Sequence, residues 1–150
     1  MSQLKVKTIE RKEAKEISMK TLKHSKQRDA IYEFLMSSKE HPSADIVYEN
    51  VRKDFPNISL GTVYRNLNLL VEIKKVIKIT MKDGSDRFDG TTAPHYHFVC
   101  NECGCVKDLE MEPIALVEKE ASEHTKDLIV NHEINFFGIC EECKKRSKFN

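Results

Sequence analysis

Two Cys-x-x-Cys turns constrain this chain more than any other feature. One reads Cys100-Asn-Glu-Cys103 and the other Cys140-Glu-Glu-Cys143. Such a turn holds two sulfur atoms close together, and two turns complete the closed tetrahedral site that zinc prefers. The 36 residues between the turns exceed the spacing of the commonest zinc ribbons. They contain a predicted strand, helix and strand, however, which can bring the turns together. The predicted structural zinc ligands are Cys100, Cys103, Cys140 and Cys143.

Other uses of the cysteines are weaker interpretations. A thiol-redox protein needs only one of the two pairs, and a hydrolytic enzyme needs an open zinc position that a four-sulfur site lacks. We therefore predict that the chain is not an enzyme. Cys105 is left over, and we interpret it as a small strand residue rather than a ligand.

The compartment follows from the N-terminus and from hydropathy. The first five residues, Met-Ser-Gln-Leu-Lys, begin no apolar stretch of signal-peptide length. No run approaches the roughly 18 consecutive apolar residues of a membrane span. We expect a cytoplasmic protein without a membrane partner, where reduced cysteines favour metal over disulfide.

The charge is unevenly distributed along the 150 residues. Residues 1–87 carry 18 Lys and Arg against 12 Asp and Glu, a net charge of +6. Residues 88–150 carry 7 against 12, a net charge of −5. A basic front half suits a polyanion such as DNA. Two ordinary solvated surfaces explain the charges equally well.

Three short helices are predicted in the front half. The first follows Ser25 and ends near residue 38, and the second is capped by Ser43 and stops at Pro56. Ser59 caps the third, which runs from Leu60 to about Glu72. The apolar spacing of the second helix predicts four side chains facing the core: Ile46, Val47, Val51 and Phe55.

A hairpin is predicted after these helices. Residues 76–81 alternate like a strand, Asp83-Gly84 is a turn signal, and residues 86–89 return as the second strand. Three helices followed by a hairpin predict a winged helix-turn-helix. This domain spans residues 1–89, with an N-terminal arm or amphipathic helix at 1–20.

Residues 90–94 have linker composition and separate a second domain at 95–150. We predict strands at 97–100 and 105–109, then a helix with Pro113 in its first turn that ends near Lys126. A strand at 128–139 leads into the second cysteine turn. The fold class is therefore α+β, with a winged helix followed by a small α/β domain that contains the zinc.

A second group of metal-ligating residue types surrounds the linker. His95-Tyr-His97 places two imidazoles on one face of an extended segment. Asp89 ends the second hairpin strand, Asp108 follows the first cysteine turn, and His41 precedes the second helix. Imidazoles with carboxylates favour Fe(II) or Mn(II) over zinc. Spacing alone leaves open that His41 and Asp89 are surface cap and turn residues.

These motifs, with His41-Pro-Ser-Ala-Asp, Gly61-Thr-Val-Tyr-Arg-Asn-Leu and Arg87-Phe-Asp, resemble the ferric uptake regulator (Fur) family over about residues 20–146. The resemblance implies a winged-helix DNA-binding domain, a C-terminal dimerisation domain, a four-cysteine zinc and a regulatory metal that bridges the domains. The regulatory ligands implied by the matching motifs are His41, Asp89, His95, His97 and Asp108.

Within the family, the aspartate at position 108 makes this chain similar to the peroxide-sensing repressors, since the iron-uptake branch usually has glutamate at the matching position. The resemblance then implies a dimeric repressor that binds a palindromic operator when Fe(II) or Mn(II) is bound. Peroxide reacting at Fe(II) would oxidise His41 or His95 and release the DNA. An iron-responsive or zinc-responsive repressor of metal uptake is the alternative within the family.

The third helix of a winged helix enters the major groove. We expect Tyr64, Arg65 and Asn66 to meet bases and phosphates and Thr62 to meet the backbone, although the Tyr64 ring could instead pack on a neighbouring helix. Lysines that we place along the wing would add salt-dependent affinity. They are Lys74, Lys75, Lys78 and Lys82.

Overall fold

The computed structural model describes residues 23–147. The N-terminal arm predicted at 1–20 therefore lies outside the described residues. The described chain divides into two compact units. The first unit consists of residues 23–38 and Pro42–Thr92, and the second consists of Lys39–His41 and residues 93–147. The short segment that ends at His41 thus belongs to the second unit.

Three helices build the first unit: α1 (Lys26–Ser37), α2 (Ala44–Val51) and α3 (Leu60–Glu72). Each follows a serine whose hydroxyl accepts a hydrogen bond from the backbone N–H three residues later. This contact satisfies one of the N–H groups left open at a helix start. The capping serines are Ser25, Ser43 and Ser59. The three predicted helices are confirmed.

The core of the first unit is an apolar cluster beneath these helices. Val47 and Val51 lie one turn apart on α2 and are buried together. Ile46 was predicted to face the same core, but that prediction is wrong because its side chain is 49% exposed. Ile46 lies one position away from the buried face, so the helix turns it outward. The buried members from other elements are Ile31, Leu35, Val63, Leu67, Leu70 and Phe88.

The wing consists of strands β1 (Ile77–Ile79) and β2 (Arg87–Asp89), which pair antiparallel with Lys78 opposite Phe88. Gly84 has a φ of 78°, which glycine adopts without strain, and its N–H donates to the Met81 carbonyl at 3.1 Å. The first strand is shorter than predicted. Val76 donates its N–H to the Leu70 carbonyl at 3.3 Å and so closes the end of α3 instead of joining the ladder.

The second unit is built on a three-stranded sheet with the order β4-β3-β5. Its central strand β3 (Tyr96–Cys100) pairs antiparallel with β4 (Val106–Leu109) and parallel with β5 (Asn135–Gly138). Helix α4 (Leu116–Glu123) lies between β4 and β5 in the chain, and α5 (Glu141–Ser147) follows β5. Together the two units confirm the predicted α+β class, with a winged helix-turn-helix followed by a small C-terminal α/β domain.

Two boundaries in the second unit differ from the prediction. Helix α4 begins after Pro113, because the Ile114 N–H donates to the Tyr96 hydroxyl at 2.7 Å and ties this segment to β3. The strand predicted at 128–139 shrinks to β5. Leu128 and Val130 are 73% and 76% exposed, so their hydrophobicity does not reflect burial in this sheet. Helix α5, which carries Cys143, was not predicted. Within residues 23–147, no helix combines the length and apolar character needed to cross a membrane.

Candidate metal centres

The two cysteine turns meet at one edge of the sheet in the second unit. Cys100 ends β3, and β5 runs parallel to β3 with Gly138 opposite Cys100. Parallel neighbours end at the same edge, so Cys140 emerges beside the first turn. The Sγ atoms of Cys103 and Cys140 are 3.8 Å apart. Cys100, Cys140 and Cys143 form a buried cluster.

Backbone amides in this cluster point at sulfur atoms. The Cys140 N–H donates to the Cys100 Sγ at 3.3 Å, and the Cys143 N–H lies 3.5 Å from the Cys140 Sγ. The backbone amides of Cys103 and Cys140 lower the pKa of Cys100 to about 6. Amides arranged in this way stabilise thiolates, the form in which cysteine binds a metal. The donor set therefore fits zinc.

Cys105 belongs to this cluster, contrary to its interpretation as a strand residue. It precedes the first residue of β4. The sulfur atoms of four residues all lie within 4.8 Å of one another, and Cys105 is among them: Cys100, Cys103, Cys105 and Cys140. The Cys143 Sγ accepts a hydrogen bond from the Arg146 guanidinium at 2.8 Å. Five thiols thus gather where the sequence predicted four.

A second centre forms around Asp108 of β4. Its Oδ1 atom lies 2.9 Å from the Nε2 of His41, 3.2 Å from that of His95 and 3.7 Å from that of His97. The β3–β4 register places His97 directly opposite Asp108. The ligand atoms of these four residues all lie within 4.8 Å of one another. Three imidazoles and a carboxylate are a donor set suited to Fe(II) or Mn(II).

The orientation of His95 is set by its other ring nitrogen. Nδ1 lies 2.7 Å from the Ala93 carbonyl oxygen, which can only accept a hydrogen bond. Nδ1 therefore carries the proton, and Nε2 presents its lone pair toward the cluster. Metal-ligating histidines are commonly fixed by such an outer hydrogen bond.

Asp89 lies at the end of β2, in the first unit. One of its carboxylate oxygens accepts a hydrogen bond from the Thr91 N–H at 2.7 Å. Asp89 is only 6% exposed and His41 only 3%. Both residues are buried, so the interpretation of these two as surface cap and turn residues is wrong.

Sequence reasoning missed a hydrogen-bonded chain of three side chains in the second unit. The buried Tyr96 hydroxyl bonds to His132 Nε2, and His132 Nδ1 lies 2.8 Å from a Glu118 carboxylate oxygen. The Glu118 backbone N–H and His132 lower the pKa of Glu118. Because residues alternate along β3, Tyr96 points away from the face that carries His95 and His97. Only the fold joins Tyr96 to a histidine 36 positions later.

The residues predicted to read DNA lie on and after α3. Arg65 donates to the Thr62 hydroxyl at 2.9 Å, and the Asn66 amide donates to the Thr62 carbonyl at 2.9 Å. Tyr64 is 43% exposed, so its ring is not packed away. These side chains stand on the exposed side of α3, opposite the residues that it buries.

The lysines are placed differently from the prediction. Lys74 and Lys75 lie between α3 and β1 rather than along the wing, and the Lys75 ammonium lies 5.2 Å from the Tyr32 ring centroid. Lys78 is on β1, where its ammonium lies 2.6 Å from an Asp86 carboxylate oxygen. The prediction was wrong for Lys74 and Lys75 because α3 ends in a turn that absorbs both residues before the strand begins.

Comparison with known proteins gives a family. The sequence model that describes the ferric uptake regulator family matches residues 7–137 of this chain. The chain belongs to the ferric uptake regulator family. A relative, the peroxide-responsive repressor PerR of Staphylococcus aureus strain USA300, is 38% identical over 120 residues, which cover 80% of this chain and 81% of the relative.

Two solved structures resemble this one. The Campylobacter jejuni peroxide stress regulator has 27% identity and a TM-score of 0.68, and the match covers 95% of this chain and 100% of that one. The Helicobacter pylori ferric uptake regulator has a TM-score of 0.73 at 24% identity, covering 92% and 93% of the two chains, and shows the shared fold. Fur-family proteins are dimeric, metal-responsive, DNA-binding transcription regulators. This protein is therefore a metal-responsive repressor with homologues in the PerR branch.

Proposed function

We propose that this protein is a peroxide-responsive repressor that binds a two-fold symmetric operator as a metal-loaded dimer. The observation that carries the proposal is the Asp108 cluster, where three imidazole nitrogens surround one carboxylate oxygen. This cluster is separate from the sulfur cluster, so sensing and structure can use different metals. The 38% identity to a peroxide-responsive repressor supports the same assignment.

We assign the structural zinc to the sulfur cluster, with Cys100, Cys103, Cys140 and Cys143 as its ligands. These residues tie the end of β3 to α5, two elements that are distant in sequence. Structural zinc of this type contributes folding free energy on the order of 10 kcal/mol. A unit of this size has little core of its own, so the cross-link stabilises the sheet that carries the sensing residues.

We assign the regulatory metal to His41, His95, His97 and Asp108, with Asp89 as the fifth ligand. When bound, Fe(II) supplies the electron that reduces hydrogen peroxide beside these side chains. His41 and His95 are the residues that we propose to be oxidised. An oxidised imidazole is a poorer ligand, so the site loses affinity. Mn(II) reacts slowly with peroxide and would give a loaded but insensitive repressor.

Metal occupancy is proposed to control DNA binding through Asp89. This residue belongs to the first unit, whereas the other four belong to the second. Ligation by all five would favour the form of the protein that binds the operator. A metal can shift this population only by its differential affinity for the two forms.

The DNA interface that we propose is the exposed side of α3. Arg65 can contact guanine through two guanidinium nitrogens, and Tyr64, Asn66 and Thr62 surround it. Lys74 and Lys75 lie just beyond the helix and are both exposed. With Lys78 they would add phosphate contacts whose strength falls as salt rises.

Dimerisation is proposed to use the second unit. Several large apolar side chains on α4, on β5 and in the segments next to β5 are exposed in the single chain, and an exposed apolar surface is typical of a protein–protein interface. A second copy would cover them and bring two recognition helices to a symmetric operator. The exposed residues are Leu116, Leu128, Val130, Phe136, Phe137 and Ile139. A DNA-binding protein of this kind is expected to act in the cytoplasm.

The test is mass spectrometry of Fe(II)-loaded protein after peroxide. We expect the peptides that contain His41 or His95 to gain the mass of one oxygen atom, while Mn(II)-loaded protein stays unmodified. Release of bound DNA should accompany the modification. Unmodified histidines under Fe(II) would favour an iron-responsive or zinc-responsive repressor instead. Absence of zinc together with reversible cysteine oxidation would favour a thiol-redox protein.

A further inference from the structure

The sulfur cluster contains one thiol more than a tetrahedral zinc needs. Cys105 is within 4.8 Å of three sulfur atoms that come from both cysteine turns, those of Cys100, Cys103 and Cys140. A single cysteine near a metal site carries little meaning. Here, however, these four sulfur atoms by themselves satisfy the count and the mutual proximity that zinc requires.

The backbone holds Cys105 in place. The Gly104 N–H donates to the Cys100 carbonyl at 3.0 Å, and the Cys100 N–H donates to the Cys105 carbonyl at 2.9 Å. Gly104 has a φ of 68°, the left-handed conformation that reverses the chain here. Cys105 therefore belongs to the same rigid turn as Cys100 and Cys103 and needs no rearrangement to reach the cluster.

Cys143 is held differently from the other sulfur atoms. It lies on α5, and its sulfur accepts a hydrogen bond from Arg146 at 2.8 Å. This guanidinium, one turn later on the same helix, can stabilise the Cys143 sulfur away from a metal as well as beside one. The sulfur of Cys143 therefore has a hydrogen-bond donor, Arg146, that can stabilise it after it has left a metal.

We propose that Cys105 is a reserve zinc ligand, which completes a set with Cys100, Cys103 and Cys140 when Cys143 leaves the metal. The inference rests on the proposed structural zinc. In the exchange, the zinc–sulfur bond of Cys143 breaks and one to Cys105 forms. The proton that Cys105 loses is taken up by Cys143, so coordination number and total charge are unchanged. Arg146 then remains hydrogen-bonded to the released sulfur.

The first test measures zinc in the full-length protein after dialysis against a chelator. We expect Cys143→Ser and Cys105→Ser each to retain zinc at the wild-type level, and the double variant to lose it. The double variant of Cys103→Ser with Cys105→Ser is the control and should also lose zinc, since only three thiols remain in the cluster. Loss of zinc from Cys143→Ser, with zinc retained by the wild type, would overturn the reserve role. A wild type without zinc would instead refute the proposed structural zinc itself.

The second test uses the zinc-loaded wild type, so it does not depend on how the Cys143 variant folds. The protein is treated with a maleimide, and the labelled cysteines are identified by peptide mass spectrometry. Exchange predicts labelling at both Cys105 and Cys143, whereas Cys100, Cys103 and Cys140 stay protected. In Cys105→Ser, Cys143 should become protected, because no reserve ligand displaces it. Equal protection of Cys143 in the two proteins would contradict the proposal.

Discussion

The Nε2 atom of His41 lies 2.9 Å from Oδ1 of Asp108, which joins a residue before α2 to the middle of β4. His41 has a φ of 47°, in the left-handed region that non-glycine residues rarely enter. Holding it there costs on the order of 1 kcal/mol. The fold keeps this unfavourable backbone conformation while burying the ring. The position of His41 is therefore explained by the contacts of its side chain and not by the preference of its backbone.

Replacing His41 by alanine should remove the regulatory metal and leave the zinc. The variant deletes one of the three imidazoles around Asp108, and we expect Mn(II) affinity to fall by more than about 100-fold. Calorimetric titration of zinc-loaded protein with Mn(II) measures this. His24→Ala is the control, because His24 is exposed and pairs with Asp29 at 2.9 Å. Wild-type Mn(II) affinity in His41→Ala would refute the assigned ligand set.

Replacing Arg65 by alanine should weaken operator binding without changing stability. Arg65 is exposed on α3 and already oriented by its bond to Thr62. Loss of a bidentate base contact costs about 1–3 kcal/mol, or roughly 10–100-fold in affinity. Fluorescence anisotropy of Mn(II)-loaded protein, on a duplex selected from a random library with the wild type, measures the change.

The control for this variant is Arg52→Ala, at the residue that directly follows α2. Arg52 lies over the Tyr48 ring and pairs with Glu49. The variant therefore also removes one positive charge, but at a position outside α3. Arg52→Ala should reduce the affinity for DNA only slightly, and by the same factor for all DNA sequences. A specificity loss in Arg52→Ala that matches the loss in Arg65→Ala would move the reading surface away from α3.

Features that depend on a few neighbouring residues were predictable from the sequence. Ser43 and Ser59 identify helix starts because a cap needs only the next three residues. Features decided by distant pairing were not. Cys105 looked like a strand residue because it begins the strand predicted at 105–109, but its place in the sulfur cluster depends on the backbone bond from Cys100. The partnership of Tyr96 with His132 requires the sheet to exist first.

The metal-free protein should show a thiolate that forms near pH 6. Amides of Cys103 and Cys140 lower the pKa of Cys100 to about 6, whereas burial raises the pKa of Cys105 to about 12. Cys100 is thus a thiol below pH 6 and a thiolate above it. Ultraviolet absorbance of the chelated, reduced protein should rise through that pH. Cys100→Ser should lose the step and Cys105→Ser should keep it. A step in Cys100→Ser equal to that of the wild type would assign the ionisation elsewhere.

Replacing Tyr96 by phenylalanine should destabilise the second unit although the ring stays. Tyr96 is 2% exposed, and its hydroxyl accepts from the Ile114 N–H at 2.7 Å while donating to His132. The variant leaves the Ile114 N–H and the His132 ring without that oxygen in a partly buried setting. An unsatisfied buried polar group costs about 1–3 kcal/mol, which should appear as a lower free energy of unfolding in urea.

Tyr64→Phe is the matched control for this variant, because Tyr64 is 43% exposed on α3. It should change the free energy of unfolding by less than about 0.5 kcal/mol. Equal stability of the two variants would mean that water replaces the lost hydroxyl of Tyr96. A larger loss in Tyr96→Phe would show that the chain from Tyr96 through His132 to Glu118 anchors β3. That strand presents His97 on its other face and directly follows His95, so its anchoring also fixes the sensing residues.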